Sequence, residues 1–167
     1  MSSLLGIGAD DAGFDLKRVI EAYLDDLGVA YEDVGVHDPS AGSGPHPVDY
    51  PDVARAVAHG VRQGRFDRGI LICGTGIGMA ITANKVPGVR AAQAHDVYSA
   101  ERARKSNDAQ VLAMGARVIG PELAKSVVKA WLESEFAGGA SARKVEKINA
   151  VELESAAPPS DSGDLDD

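Results

Sequence analysis

The chain has 167 residues, of which 44% are apolar and only 5% aromatic, a size and composition that suit one compact domain with an aliphatic core. The net charge is −8, but six of these charges come from acidic residues after Lys147, so the body carries about −2. This balance argues against a nucleic-acid-binding surface.

Cysteine usage and the apolar runs indicate the compartment. Cys73 is the single cysteine, so an internal disulfide is excluded. The first residues, MSSLLGIGADD, lack the basic start and long apolar stretch of a signal peptide. No apolar run approaches the roughly 18 residues that span a bilayer. We therefore expect a cytoplasmic protein that does not enter a membrane.

Short apolar runs alternate with segments of helical period from the start of the chain. Residues 4–9 predict a buried strand, and apolar side chains at three-and-four spacing from Leu16 to Leu27 predict an amphipathic helix. A strand over 29–35 comes next. The Gly- and Pro-rich stretch 36–51 predicts an irregular loop.

The remaining predicted elements continue this alternation. They are a helix over roughly 51–63, a strand at 68–73, a helix from about Gly78 to Lys85, a strand at 89–94, a helix at 96–106, a strand at 109–115 and a helix at 121–135. Five strands separated by helices predict an α/β fold with a parallel sheet covered on both faces.

The C-terminal stretch divides in two. Residues 141–154 keep a helical period and are expected to pack on the body or on another subunit. Residues 155–167, SAAPPSDSGDLDD, are small, acidic and Pro-containing, which predicts a disordered tail after a domain over 1–154.

A glycine-rich loop, CGTGIG at 73–78, follows the third predicted strand and opens a helix. In parallel sheets, ligands bind beyond the carboxyl ends of the strands. The free backbone N–H groups of such a loop predict a site for an anion or a developing oxyanion. The G-x-G-x-G spacing and the place after the third strand differ from the dinucleotide fingerprint, so this interpretation is disfavoured.

Cys73 has two interpretations. Cysteine is often a small buried residue at a strand end. A sulfur beside several backbone N–H groups, however, has its thiolate stabilised and can act as a base or nucleophile. The position favours the second. His95 is the histidine that follows a strand at the same edge, and it is either catalytic or a neighbour of the helix cap at Asp96.

Several motifs occur together and in one order: GADDAG, VDYPDVA, GILICGTGIGMAITANKVPGVRA, HDVYSAERARKSNDAQVLAMGARVIG and AKSVVKAWL. In these motifs the chain resembles the ribose-5-phosphate isomerase B and galactose-6-phosphate isomerase family over about residues 3–151. The resemblance implies a Rossmann-like three-layer sandwich with a five-stranded parallel sheet and a C-terminal helix. It also implies a homodimer or dimer of dimers with sites built from both subunits, a sugar-phosphate substrate, and aldose–ketose isomerisation without a metal or other cofactor.

The same resemblance assigns roles to individual residues. Moving a proton between C1 and C2 through a cis-enediolate needs one base, and Cys73 matches the family's base. The N–H groups of Gly74, Gly76 and Gly78 would hold the enediolate oxygens. Four polar residues match groups that contact the sugar: Asp10, Tyr50, Thr75 and Asn107.

The chain departs from the family pattern at three places. Asp11 follows Asp10 where the family often has histidine, and Ser106 precedes Asn107 where it again often has histidine. In the tail helix, Ala140 and Lys144 stand where two arginines commonly bind phosphate, with Arg143 adjacent. Arg117, in GARVIG, is then our first choice for a phosphate contact.

The two missing imidazoles bear on the substrate, because they are associated with opening a sugar ring. A tetrose 4-phosphate cannot close a five-membered ring, since its C4 oxygen is esterified. We therefore expect D-erythrulose 4-phosphate and D-erythrose 4-phosphate as the substrate pair. The alternatives are ribose 5-phosphate, with His95 opening the ring, and a catalytically silent phosphate-binding module of the same topology.

Overall fold

A computed structural model describes residues 4–43 and 47–156 of the chain. Five strands form one sheet: β1 (Leu5–Ala9), β2 (Tyr31–Asp33), β3 (Arg68–Cys73), β4 (Ala91–Gln93) and β5 (Val111–Gly115). The helices are α1 (Phe14–Asp26), α2 (Tyr50–Arg62), α3 (Ile77–Ala83), α4 (Val97–Asn107), α5 (Pro121–Leu132) and α6 (Ala140–Ala156), with a short 3-10 turn at Ala41–Ser43.

All strand pairs are parallel, and the spatial order is β2-β1-β3-β5-β4. The chain therefore moves outward in one direction after β1 and in the other after β3. The loops that leave these two neighbouring strands diverge to opposite sides of the sheet and leave a crevice between them. The predicted parallel α/β sheet is confirmed, and its switch point lies between β1 and β3.

The sheet separates two apolar cores. Ile70 and Ile72 of β3 pack with α1, α4 and α5 on one face, whereas Leu71 and Cys73 pack with α2 and α3 on the other. Side chains alternate between faces along a strand, so a continuous apolar run such as RGILIC serves both cores. Cys73 consequently lies on the α2/α3 face.

Local signals fix where the helices at the site begin. Asp49 and Asp52 form a capping box at the start of α2, which also has a proline in its first turn. Asp96 caps α4 by accepting a hydrogen bond from the Ser99 N–H at 2.7 Å. These caps place Tyr50 at the entrance of α2 and hold His95 immediately before α4.

Several predicted boundaries are wrong. Strand β2 covers only Tyr31–Asp33 of the predicted 29–35, although Val34 and Val36 still donate backbone hydrogen bonds to the carbonyls of Ile7 and Ala9. Helix α3 starts one residue earlier than Gly78 and ends before Lys85. Helix α6 continues to Ala156, and the rest of the predicted tail, 157–167, lies outside the described residues.

Candidate active site

A cavity of about 470 Å³ opens at the carboxyl ends of β1 and β3. It is lined by Asp10, Ala12, Tyr50, Cys73, Gly74, Thr75, Ile77, Gly78, Ile81 and Arg117. Seven of the thirteen predicted site residues are thus brought to one place by the switch point of the sheet.

Cys73 is the last residue of β3 and lines this cavity while being only 5% exposed. Its Sγ accepts a hydrogen bond from the Gly76 N–H at 3.1 Å. The thiol is therefore held in a near-dry position with one backbone N–H already directed at it.

The conformation of the glycine loop depends on two close approaches. Gly76 has φ +78°, and a Cβ there would lie 2.8 Å from the Met114 carbonyl carbon. A Cβ at Gly115 would lie 2.6 Å from the Thr75 Cα. The loop is thus pressed against the end of β5, so side chains larger than hydrogen at these positions would displace the N–H groups beside Cys73.

Asp10 lies across the cavity from the glycine loop and is 8% exposed. Its Oδ1 accepts a hydrogen bond from the Gly13 N–H at 3.0 Å. Burial raises the pKa of Asp10, and the charge of Arg117 opposes this rise. Asp11 is exposed instead, and its carboxylate lies beside Gly42 in the loop after β2.

Tyr50 and Arg117 form two walls of the cavity. The Tyr50 ring covers Gly78 so closely that a Cβ on Gly78 would lie 2.4 Å from the ring. The Arg117 guanidinium lies over Gly74. Arg117 and Tyr50 therefore flank the loop that carries Cys73. The cation suits an anionic group of a ligand, and the phenol suits its hydroxyls.

Thr75 is exposed in the middle of the loop, where its Oγ1 accepts from the Ile77 N–H at 3.3 Å. Its carbonyl accepts a hydrogen bond from Gln93 Nε2 at 2.7 Å. Gln93 was not predicted from the sequence, because nothing local marks a residue that supports the loop from β4, which lies two strands away from β3 in the sheet.

His95 lies outside the lining of this cavity. Its Nε2 accepts a hydrogen bond from the Gly115 N–H at 2.8 Å, which places the proton of the neutral ring on Nδ1. Burial lowers the pKa of His95. In this arrangement Nε2 cannot donate a proton, and the imidazole stabilises the end of β5, opposite Thr75.

Three further predicted residues are not brought to Cys73 within one subunit. Asn107 ends α4, which runs from the carboxyl edge of the sheet back to its amino edge, and it lines a second cavity there. Arg143 and Lys144 are exposed on α6, which packs on α4. One subunit alone therefore supplies only part of the predicted constellation.

Ala12, Ile77 and Ile81 line the cavity but were not predicted. Ile77 and Ile81 are 51% and 55% exposed and lie one turn apart on α3. Two exposed isoleucines at four-residue spacing are the signal that could have identified them.

Among residues 4–43 and 47–156, no group of three or more His, Cys, Asp or Glu side chains could hold a metal ion. In the same part of the chain, no helix is long and apolar enough to cross a membrane. The expectation of a cofactor-free reaction stays a prediction.

The sequence model of the family described as Ribose/Galactose Isomerase matches residues 5–148. With the parallel sheet and the cysteine-bearing crevice, this match shows that the chain belongs to that family of α/β isomerases. A D-erythrulose-4-phosphate isomerase from Pectobacterium atrosepticum is 59% identical over 89% of this chain and 94% of its own length. A ribose-5-P isomerase B from Listeria innocua is 49% identical over 89% and 96%.

Solved structures agree with the sequence relatives. The structure of Clostridium thermocellum ribose-5-phosphate isomerase B superimposes with a TM-score of 0.84 at 46% identity, covering 91% of this chain and 99% of that one. The expected fold class, family and isomerase activity are therefore confirmed.

Proposed function

We propose that this chain interconverts an aldose and a ketose sugar phosphate through a cis-enediolate, with Cys73 as the base. The observation that carries the proposal is the Cys73 sulfur lining the switch-point cavity with the Gly76 N–H directed at it at 3.1 Å. A group that takes a proton from carbon must be held close to it and shielded from bulk water. The buried Cys73 sulfur at the edge of this cavity meets both needs.

In this mechanism the thiolate takes the proton from C2 of the aldose, and the electron pair moves to the C1 oxygen. The proton of the C2 hydroxyl passes to the C1 oxygen. The thiol then returns the first proton to C1, and the C2 oxygen becomes the ketose carbonyl. The enediolate carries one negative charge, which lies on the C1 oxygen before the hydroxyl proton moves and on the C2 oxygen afterwards. The N–H groups around Gly74, Gly76 and Gly78 are the donors that would hold these two oxygens. No redox partner is needed.

The remaining cavity residues would hold the rest of the substrate. Asp10, Tyr50 and Thr75 offer acceptors and donors to sugar hydroxyls. Arg117 is the cation of the cavity wall and the group we assign to the phosphate. We keep Asp11 as a substrate-binding candidate at the cavity rim, because it is exposed next to Asp10.

We also propose that the working unit is at least a homodimer in the cytoplasm. Asn107 and the cations Arg143 and Lys144 are apart from Cys73 within one subunit, so a second subunit must bring them if they serve the same site. The exposed Ile77 and Ile81 beside the cavity offer an apolar surface for that subunit. The cytoplasmic assignment rests on the single unpaired cysteine.

For the substrate we propose the tetrose pair D-erythrose 4-phosphate and D-erythrulose 4-phosphate. Asp11 and Ser106 cannot act as the ring-opening imidazoles of the pentose reaction, and the Nε2 of His95 is engaged by Gly115. The relative named D-erythrulose-4-phosphate isomerase is more similar to this chain than the Listeria relative, at 59% against 49% identity. Ribose 5-phosphate stays the second candidate.

Proton exchange in deuterated water tests the isomerase mechanism against a silent phosphate-binding module. We expect deuterium at C1 or C2 of the recovered sugar phosphate with the unaltered protein and none with Cys73→Ala. Binding of the sugar phosphate without any exchange would favour the binding module.

A comparison of kcat/KM for the tetrose and ribose 5-phosphate tests the substrate. We expect the tetrose to be preferred, and Ser106→His to shift the ratio toward the pentose. Better turnover of ribose 5-phosphate by the unaltered protein, lost in His95→Ala, would contradict the tetrose assignment.

A further inference from the structure

The second cavity, at the β4 edge, holds a cation that the sequence analysis did not single out. This cavity of about 440 Å³ is lined by Ser99, Arg102 and Asn107, among others. Asn107 is the residue for which the proposed function requires transfer to the site of a second subunit. Arg102 lines the same cavity as Asn107, so a second subunit that brings Asn107 to the site also brings Arg102 there.

Arg102 is held in a defined position by Ser106, one helical turn further along α4. The Ser106 Oγ accepts from Arg102 Nε at 3.0 Å and from Arg102 Nη2 at 2.6 Å. Both bonds use the same edge of the guanidinium, while the side chain stays 39% exposed. The hydroxyl is neutral, so the arginine is oriented without losing its positive charge.

The neighbouring carboxylate, Glu101, offsets this charge only in part, because Arg102 shares it with Lys105. Glu101 lies 3.6 Å from Arg102 Nη1 but only 3.3 Å from Lys105 Nζ, so Lys105 is its closer partner. A guanidinium with a free edge binds phosphate through two parallel hydrogen bonds, which a lysine cannot do. Arg102 is thus a preoriented anion ligand beside Asn107.

We propose that Arg102, positioned by Ser106, binds the substrate phosphate in the partner subunit's active site and thereby selects a four-carbon sugar phosphate. The inference rests on the proposed function, because it needs Asn107 and Cys73 to meet across two subunits. For a fixed position of C1 and C2, a tetrose carries its phosphate one carbon nearer to Cys73 than a pentose. A cation beside Asn107 suits that shorter reach, and it replaces the arginine that Ala140 and Lys144 do not supply.

Ser106 then has a positive role. It lacks the imidazole that would open a ring, and its hydroxyl fixes the cation that a substrate without such a ring requires. Ser106 would thus account both for the absence of a ring-opening group and for the preference for a shorter substrate.

The test measures kcat and KM for D-erythrulose 4-phosphate and ribose 5-phosphate in Arg102→Met, Arg102→Lys, Ser106→Ala and Ser106→Thr. Arg102→Met is expected to lower kcat/KM for the tetrose about 10- to 100-fold, mainly through KM, and to lower that for the pentose far less. Arg102→Lys should recover only part of the loss. Ser106→Thr should retain the activity that Ser106→Ala loses, because it keeps the hydroxyl.

Lys129→Met is the control, since it removes an exposed cation from α5 that lines neither cavity and does not pair with Glu101, and we expect it to leave both kcat/KM values unchanged. Calorimetric titration with inorganic phosphate separates this inference from the isomerase mechanism. Cys73→Ala should bind phosphate as the unaltered protein does, whereas Arg102→Met should bind it about 10-fold more weakly or worse. Unchanged phosphate binding in Arg102→Met, or equal losses of kcat/KM for both sugars, would overturn the role of Arg102 whatever the outcome at Cys73.

Discussion

Cys73 is the residue on which the proposed chemistry depends, and its removal gives the sharpest test at this scale. We expect Cys73→Ala to lower kcat by about 1000-fold, because general-base catalysis of this kind contributes between about 100- and 10,000-fold. Steady-state kinetics with the preferred sugar phosphate measures the loss. Near-normal turnover by the folded variant would eliminate the mechanism.

Val111→Ala is the matched control for this variant. Val111 is buried in the same α2/α3 core as Cys73 but does not line the cavity. Val111→Ala should lower the free energy of unfolding by about 1 kcal/mol or more while leaving kcat close to that of the unaltered protein.

His95 gives a prediction about pH and stability. Burial lowers its pKa from the usual value of 6.5, with Asp96 opposing the shift. The unfolded chain therefore takes up a proton before the folded chain does, and the stability that the neutral ring contributes is present above about pH 6.5 and is lost as the pH falls through the folded pKa. Urea unfolding near pH 7.5 and pH 5.5 should show a smaller decrease in the free energy of unfolding for His95→Gln than for the unaltered protein.

Glutamine is chosen because its side-chain oxygen can accept the Gly115 N–H without titrating. An equal pH dependence in both proteins would show that His95 does not carry this part of the stability. Asp10 and Glu21, whose pKa values burial raises, are common to both proteins and cancel in the comparison.

At the scale of the elements, Lys17 connects α1 to the chain that leaves β2. It is fully buried, and its Nζ donates to Asp33 Oδ2 at 2.5 Å and to the Val36 carbonyl at 2.6 Å. Glu21 lies in the same cluster, and burial together with Asp33 raises its pKa. Lys17 is therefore the buried cation that pairs with Asp33.

Lys17→Met should lower the free energy of unfolding by about 3 kcal/mol, because it leaves Asp33 without its buried cation. Arg18→Met, which removes an exposed cation paired with Glu21 at 3.1 Å, should cost less than about 1 kcal/mol. Urea unfolding at one protein concentration compares the two. Similar small losses would mean that Asp33 is solvated rather than dependent on Lys17.

For the whole molecule, the question is whether one site takes residues from two subunits. We expect Cys73→Ala and Asn107→Ala to be inactive separately. When the two are unfolded and refolded together, half of the dimers are mixed and each mixed dimer has one intact site, so about one quarter of the normal activity should return. Light scattering should show a dimer or larger assembly throughout.

Each variant refolded alone is the control and should stay inactive. An absence of restored activity in the mixture, together with a stable active monomer of the unaltered protein, would contradict the shared site.

Features of the fold and the site that depend on residues close together in the sequence were predicted better than those that join residues far apart in it. The apolar run ending at Cys73 and the glycine spacing after it predicted a strand, a loop and a base without reference to the rest of the chain. The limits of β2 were predicted less well, since an edge strand ends where its neighbour stops pairing. The partners of His95 and Lys17 were not predicted, because each bond joins residues whose sequence separation carries no periodic signal.

The order of apolar and polar residues by itself determined that this protein would form a parallel α/β sheet, and that Cys73 and its glycine loop would stand at a carboxyl edge. Periodicity and turn chemistry act over a few residues, so they can be identified from the sequence. The tertiary structure alone decided that β1 and β3 are neighbours, that His95 accepts a hydrogen bond from Gly115, and that Arg102 and Asn107 line one cavity with β4 and α6. Those relations depend on strand order, register and side-chain packing, which arise only when all the elements compete for the same two cores.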